Sequence, residues 1–300
     1  MINAGIYLGL VLLGSSAMPS TVAMGQPAPE PGPGADSAAE ATGYQEHLEN
    51  YDAREIRGFT VRVNRALLEP NPERDPELLD RVLLLLEHDL EVIEEIVPAP
   101  AFEVLRGVPF WIEAQGAVVP GGMTGRGMCF HASTAWVTSH GLLAEKTGGI
   151  EIVRAADFSV WRRNQPFMTF HELAHAYHHL LGVDDEPIAA AYEAAKASGA
   201  YDAVDRNTTT EPVKAYAMAN RMEYFAELSE ALFGLNDFYP YSRRQLAAHD
   251  PEGLAAVEAL WGQSAAEIAQ RVDREGFMGQ LESYQARQNP QATKGAGTDE

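Results

Sequence analysis

Apolar residues in the second half of the chain recur every three to four positions, the pattern of helices that bury one face. The helices expected there cover 166–181, 187–197, 213–233, 251–261 and 265–286. Another is expected to begin at Asp75 and Pro76, a natural cap and first-turn pair, and to run until Pro98 stops it. The second half is therefore predicted to be mainly helical.

The first half carries strand patterns instead. Phe59, Val61 and Val63 alternate with polar residues, and further short apolar runs predict strands at 108–114, 134–138 and 149–153. Strands that precede helices, without regular alternation of the two, indicate an α+β domain with helices packed on one side of a small mixed or antiparallel sheet.

The amino-terminal segment differs in composition from the rest of the 300-residue chain. An apolar run at 6–13 followed by small residues predicts a signal peptide at 1–25, and so export to the periplasm or the extracellular space. An uncleaved single-pass anchor is the alternative, but the run is shorter than the roughly 20 residues needed to span a bilayer. A disordered linker rich in Pro, Gly and Ala is expected at 26–43, one domain at 44–286 and a disordered tail at 287–300.

Composition and charge narrow the class of protein. Hydrophobic residues make up 46% and charged residues 22% of the chain, as is ordinary for soluble globular proteins. The formal net charge of -21, with only 22 Lys and Arg, works against binding nucleic acid, because that binding depends on neutralising phosphates. No stable membrane insertion is expected after signal removal. Cys129 is the single cysteine, so an internal disulfide is excluded, and we expect it to be a small buried residue.

The helix expected at 166–181 contains the sequence His171-Glu172-Leu173-Ala174-His175, an H-E-x-x-H motif. Two imidazoles four residues apart lie on one helix face, a spacing that suits two ligand positions on zinc. Glu172 lies beside that face, where its carboxylate can reach a water molecule at the metal and act as a base. An amphipathic helix with incidental histidines is the alternative, but the helix is strongly apolar, and buried imidazoles need partners.

A catalytic zinc site needs a third protein ligand. A third histidine ten residues after His171 is excluded, because that position is Leu181. The remaining solution is a glutamate from the helix expected at 213–233, on which five polar residues form one stripe. They are Tyr216, Asn220, Glu223, Glu227 and Glu230. A solvated acidic face is the other interpretation of the same spacing.

The sequence HELAHAYHH, followed by a tyrosine and EYFAE, resembles the glutamate-type zincins, in particular the group that contains the catalytic domain of anthrax lethal factor and the Pro-Pro endopeptidases. Residues 56–261 look more closely like a family of bacterial zinc metallopeptidases with no assigned substrate. The shared segments are VPFWI, CFH, GIEIV, QPFMTFHELAHAYHH, AYEAAKASGAYD, EYFAELSEALFGLNDFYPY and LAAHDP. The resemblance to the toxin covers only the two motifs, so its substrate class and proline specificity are not transferred.

The resemblance implies a zincin-like fold and one zinc ion per chain, held by His171, His175 and Glu223. It also implies that Tyr216 points at the carbonyl oxygen of the substrate. Glu227, one turn after Glu223, is expected to accept a hydrogen bond from the other ring nitrogen of His171.

These residues predict a zinc peptidase that acts on a peptide or protein, with Glu172 as general base and acid and Tyr216 as a donor to the oxyanion. The predicted strand at 149–153 is a candidate edge for an extended substrate. Two alternatives stay open. One is a non-catalytic metal-binding or peptide-binding module of the same fold, and the other is a metal-independent scaffold in which the motif is accidental. His131, His140, His178 and His179 are expected to pack or cap rather than bind the metal.

Overall fold

The computed structural model describes residues 47–114, 127–182 and 185–272. The predicted signal peptide, linker and carboxyl-terminal tail lie outside these residues. None of the helices within the described ranges combines the length and the apolar composition needed to cross a bilayer.

The described part is a mixed α+β structure with a five-stranded sheet followed by a helical second half. The strands are β1 (Tyr51–Ile56), β2 (Phe59–Asn64), β3 (Phe110–Ile112), β4 (Met128–Phe130) and β5 (Ile150–Ile152). The first five helices are α1 (Leu78–Ile96), α2 (Ala99–Leu105), α3 (Thr134–Ser139), α4 (Phe158–Asn164) and α5 (Met168–Leu181). The next five are α6 (Glu186–Ser198), α7 (Arg221–Phe233), α8 (Arg243–His249), α9 (Pro251–Trp261) and α10 (Ala265–Val272).

The spatial order of the strands is β1-β2-β3-β5-β4. β1 and β2 form an antiparallel pair, β3 is parallel to both β2 and β5, and β4 returns antiparallel to β5. The strand predicted at 149–153 therefore lies inside the sheet, and its expected place at the edge is wrong. β4, which the sequence pattern did not predict, is one of the two outer strands of the described sheet, and β1 is the other.

Alternation along the strands separates two faces of the sheet. Phe59, Val61 and Val63 of β2 are fully buried on one face, where they join the main core with apolar residues of α1, α5 and α7. α5 packs against α7, α1 and β4. This arrangement places the helix with the H-E-x-x-H motif between the sheet and the second helical motif.

Two more predictions differ from the structure. The strand predicted at 134–138 is helix α3, because Ser133 caps it by accepting a hydrogen bond from the Trp136 N–H at 3.2 Å. The helix predicted at 213–233 is interrupted: Tyr216–Met218 forms a 3₁₀ turn, and α7 begins only after Asn220. Capping side chains therefore decided both boundaries against the apolar pattern.

Other helix predictions agree within a few residues. The helix expected from Asp75 begins at Leu78, since the Asp75 carboxylate accepts from the Glu77 N–H at 2.9 Å in the preceding turn. The helix predicted at 251–261 has those bounds, and the one at 265–286 is described as far as Val272. α2, α4 and α8, each seven residues long, were not predicted.

Candidate metal centre

Helix α5 brings His171 and His175 to one side of the molecule. Its buried residues Phe170, Leu173 and Ala174 fix the helix against the core. The two imidazole rings lie one helical turn apart, with centroids separated by 4.7 Å and planes at 85°. His171 is buried and His175 is partly exposed, so the pair opens towards solvent at one end.

Helix α7 supplies the carboxylate that meets both rings. The Asn220 side chain caps this helix by accepting from the N–H groups of Met222 at 2.9 Å and Glu223 at 3.0 Å. Glu223 consequently lies in the first turn, where the helix dipole favours a negative charge. Its Oε2 lies 3.1 Å from His171 Nε2 and 3.0 Å from His175 Nε2.

The spacing of these three atoms fits a metal ion. Ligand atoms about 2.0–2.1 Å from a tetrahedral zinc lie about 3.3 Å from one another. The contacts from Glu223 to the two histidines are close to that value, and all three ligand atoms lie within 4.8 Å of one another. Burial alone would raise the pKa of the Glu223 carboxyl, but its contacts with His175 and His171 lower that pKa well below the ordinary value. The carboxylate is therefore held in the charged form that binds a cation.

A second group that could hold a metal within the described residues comprises His171, Glu227 and Glu230. Its shortest contact, from His171 Nδ1 to Glu230 Oε1, is 2.6 Å, a hydrogen-bond length well below the separation of two zinc ligands. The same imidazole cannot serve both groups without losing its remaining proton. Of the two groups, the one that contains Glu223 therefore has the spacing that better suits a metal ion.

Glu230 makes the hydrogen bond that the sequence assigned to Glu227. The nearest Glu227 oxygen is 3.9 Å from His171 Nδ1, whereas Glu230 Oε1 also accepts from Gln165 Nε2 at 3.2 Å. The helical repeat explains the difference: seven residues after Glu223 is close to two full turns, so Glu230 lies about 20° from it around the helix, whereas Glu227 lies about 40° away. The polar stripe contained Glu230, but spacing alone did not rank it above Glu227.

The environment of these carboxylates is electrostatically strained. Burial raises the pKa of Glu227, and the nearby charges of Asp237 and Glu230 raise it further. Arg206 pairs with Asp237 at 3.1 Å and offsets part of this negative charge. Burial lowers the pKa of His171, but its hydrogen bonds to Glu223 and Glu230 outweigh that effect and raise it well above the ordinary value.

Tyr216 lies at the same centre. It belongs to the 3₁₀ turn before α7, and its hydroxyl donates to Glu223 Oε1 at 3.0 Å. Its ring lies roughly parallel to that of His171, with the centroids 6.4 Å apart. The structure therefore brings together four of the residues singled out in the sequence, namely His171, His175, Glu223 and Tyr216.

Glu172 points from α5 to outer strand β4. Its Oε2 accepts a hydrogen bond from the backbone N–H of Phe130, the last residue of β4, at 2.8 Å. The backbone N–H and C=O groups of the odd-numbered residues in and next to β4 point towards β5. The bonds from His131 N to Gly149 O and from Val153 N to Gly127 O show this. The N–H of Phe130 consequently points away from β5 and is available to Glu172.

The remaining histidines of this region lie outside the ligand group. His178 is buried against Phe225, and burial, with a contribution from His175, lowers its pKa to about 4. The His179 ring lies 5.6 Å from that of Phe130. His131 contacts Glu151 at 2.9 Å on the other face of the sheet, and His140 contacts the Trp136 carbonyl at 2.7 Å.

No family model, curated protein or solved structure matches this chain. Support for a function comes instead from the donor atoms of the centre, their spacing and their burial.

Proposed function

We propose that this protein is an exported zinc-dependent peptidase with a zincin-like fold. The observation that carries the proposal is the meeting of two histidines one helical turn apart with a carboxylate from a different helix, at distances of 3.0 and 3.1 Å. Two imidazoles and one carboxylate form a ligand set typical of catalytic zinc, which keeps a fourth position open. One zinc ion per chain would be held by His171, His175 and Glu223.

Bound zinc would supply a more acidic water and would polarise the carbonyl group of a substrate. The rest of the chemistry falls to side chains of the protein. Glu172 follows His171 on the same helix and would take the proton of the attacking water, then return it to the leaving amine. Its bond to Phe130 uses Oε2 and leaves Oε1 for that proton transfer.

Tyr216 would stabilise the charge that develops on the carbonyl oxygen. Its hydroxyl lies 3.0 Å from Glu223 Oε1, and the Tyr216 side chain is only partly buried. A donor whose hydrogen bond strengthens as the oxyanion forms lowers the barrier rather than merely improving binding.

The outer strand supports a peptide as the substrate. In β4, unlike β5, the backbone groups of Met128 point away from the sheet, whereas the Phe130 N–H on the same side already donates to Glu172. An extended peptide could pair with such a strand close to Glu172, which already contacts it. The apolar run at 6–13 supports export to the periplasm or the extracellular space. The net charge of -21 favours a peptide or protein partner over a nucleic acid.

A peptide-library digest tests this function. Zinc-loaded protein would be incubated with a mixed-sequence peptide library, and the new termini would be identified by mass spectrometry. We expect cleavage by the wild type and none by Glu172→Gln at equal zinc content. Zinc binding without any cleavage by the wild type would instead support the non-catalytic metal-binding or peptide-binding module.

A further inference from the structure

A cluster of ionisable side chains is buried on the face of the sheet that points away from α5. Lys146 Nζ lies 2.9 Å from Glu113 Oε1 and 2.9 Å from Glu151 Oε2, and His131 Nε2 lies 2.9 Å from the same Glu151 oxygen. We call these four residues the Lys146 cluster. Lys146 and Glu151 are fully buried, and Glu113 and His131 are 2% exposed.

The cluster is tied to several parts of the sheet. Glu113 follows β3 and accepts from the Tyr51 hydroxyl of β1 at 2.6 Å and from Asn64 of β2 at 2.7 Å. Burial alone would raise the pKa of the Glu151 carboxyl, but the charge of Lys146 and the hydrogen bond with His131 outweigh it and lower the pKa to about 2. Well-packed apolar side chains often stabilise a core as well as a buried ion pair does, so the geometry that the cluster imposes is the more informative property.

His131 links the Lys146 cluster to the contact between Glu172 and strand β4. His131 comes directly after Phe130, whose N–H donates to Glu172. The His131 N–H donates to Gly149 O at 2.9 Å, its carbonyl accepts from Gly148 N at 2.8 Å, and its ring contacts Glu151 of β5. A three-residue outer strand has few ladder bonds, and such short elements open locally at low cost in free energy. The contact between the His131 ring and Glu151 adds a side-chain bond to β5 at the end of β4 that lies nearest to Glu172.

We propose that His131, held by Glu151 and Lys146, is a positioning residue for Glu172. It fixes the end of β4 so that the Phe130 N–H continues to donate to Oε2 of Glu172, while Oε1 remains for proton transfer from the water. The functional part of this inference rests on the proposed role of Glu172, whereas the structural part concerns one hydrogen bond and is testable without metal or substrate.

Amide hydrogen exchange by NMR on the full chain measures that bond, since Glu172 is the acceptor of the Phe130 N–H in the described structure. Glu172→Ala gives the exchange rate of the Phe130 amide when its acceptor is absent. His131→Leu removes the contact with Glu151, and His131→Gln retains an N–H donor of similar reach. The amides of Ile150 and Val204, which donate to Pro109 and Val213, report on the stability of the sheet and of the domain as a whole.

We expect His131→Leu to accelerate exchange of the Phe130 amide about tenfold beyond any change at Ile150 and Val204. The reason is that the hydrogen bond between His131 and the Glu151 carboxylate is lost. His131→Gln should stay within about threefold of the wild type by the same reasoning. The inference is overturned if Phe130 changes only in step with the two reference amides, or if the Gln and Leu variants behave alike.

Kinetics on a peptide taken from the library digest give a second measurement. His131→Leu should lower kcat about tenfold while the zinc content and KM stay at wild-type values, because orientation of the base is impaired and the ligands are untouched. An unchanged kcat would remove the catalytic meaning of the contact. If the wild type cleaves no peptide, the peptidase proposal fails, and the exchange experiment still decides whether His131 positions Glu172.

Discussion

His171 Nδ1 and Glu230 Oε1 lie 2.6 Å apart, and both side chains are buried. A carboxylate in this position holds the imidazole in one orientation and makes its other nitrogen a better metal ligand. Glu223 lies on that other side, at His171 Nε2. Two glutamates of the same helix therefore contact opposite edges of one ring, one as a candidate ligand and the other as its support.

Glu230→Ala should weaken zinc binding about 10- to 100-fold, because His171 loses the carboxylate that orients it. Glu227→Ala is the matched control, since Glu227 lies 3.9 Å from the same nitrogen, and we expect a change below about threefold. Chelator competition at fixed pH measures both affinities. The opposite order of effects would return the supporting role to Glu227.

Glu223→Ala should lose most of the bound zinc, because only the two histidine ligands remain. Glu172→Gln should retain about one zinc per chain, since Glu172 contacts strand β4 and is no ligand. Elemental analysis of both variants and the wild type, after identical reconstitution, tests the assignment. Full zinc in Glu223→Ala would mean that the third ligand is misassigned.

Tyr216→Phe should lower kcat about 100- to 1,000-fold on a cleavable peptide, because one donor to the oxyanion is lost. Zinc content should not change, since the tyrosine hydroxyl contacts Glu223 without being one of the three ligands. Steady-state kinetics together with metal analysis separate the two effects. A variant that keeps wild-type kcat would show that the hydroxyl only supports the Glu223 carboxylate.

Gly234→Ala should destabilise the fold by about 1–3 kcal/mol, as overpacking of a core usually does. A Cβ at this position would meet the ring of Phe167, which precedes α5, at 2.1 Å. Gly107→Ala is the control, because a Cβ there meets only the Val104 carbonyl at an ordinary 3.4 Å. Urea unfolding followed by circular dichroism compares the two. Equal stabilities would mean that Phe167 moves aside freely.

Acid should remove the contribution of Glu151 to stability. Its folded-state pKa of about 2 lies below the ordinary value of 4.5, so the contribution is present above pH 4.5 and is lost as the pH falls towards 2. The amount is on the order of 3 kcal/mol. In metal-free protein, Glu151→Gln should flatten the pH dependence of the free energy of unfolding between about pH 5 and 3. Glu69→Gln, at an exposed site, serves as the control. A slope equal to that of the wild type in Glu151→Gln would contradict the prediction.

Local signals in the sequence located several helices and the motif that they carry. Apolar periodicity and Pro251 gave the bounds of α9, and the H-E-x-x-H spacing alone places His171 and His175 on one face of α5. Such predictions succeed because a helix is stabilised by contacts within a few residues, which a single segment already contains. For the same reason, the α+β class and the helical second half were predicted correctly.

Only the tertiary structure decided which strand lies at the edge, which glutamate supports His171 and what Glu172 contacts. The strand at 134–138 was wrong because one capping serine favoured a helix, and β5 proved interior because β4 pairs beside it. The contact between Phe130 and Glu172 joins residues 42 positions apart, and the strand order likewise involves segments distant in the sequence. They depend on how separate elements pack together, and no periodicity within either segment encodes that packing.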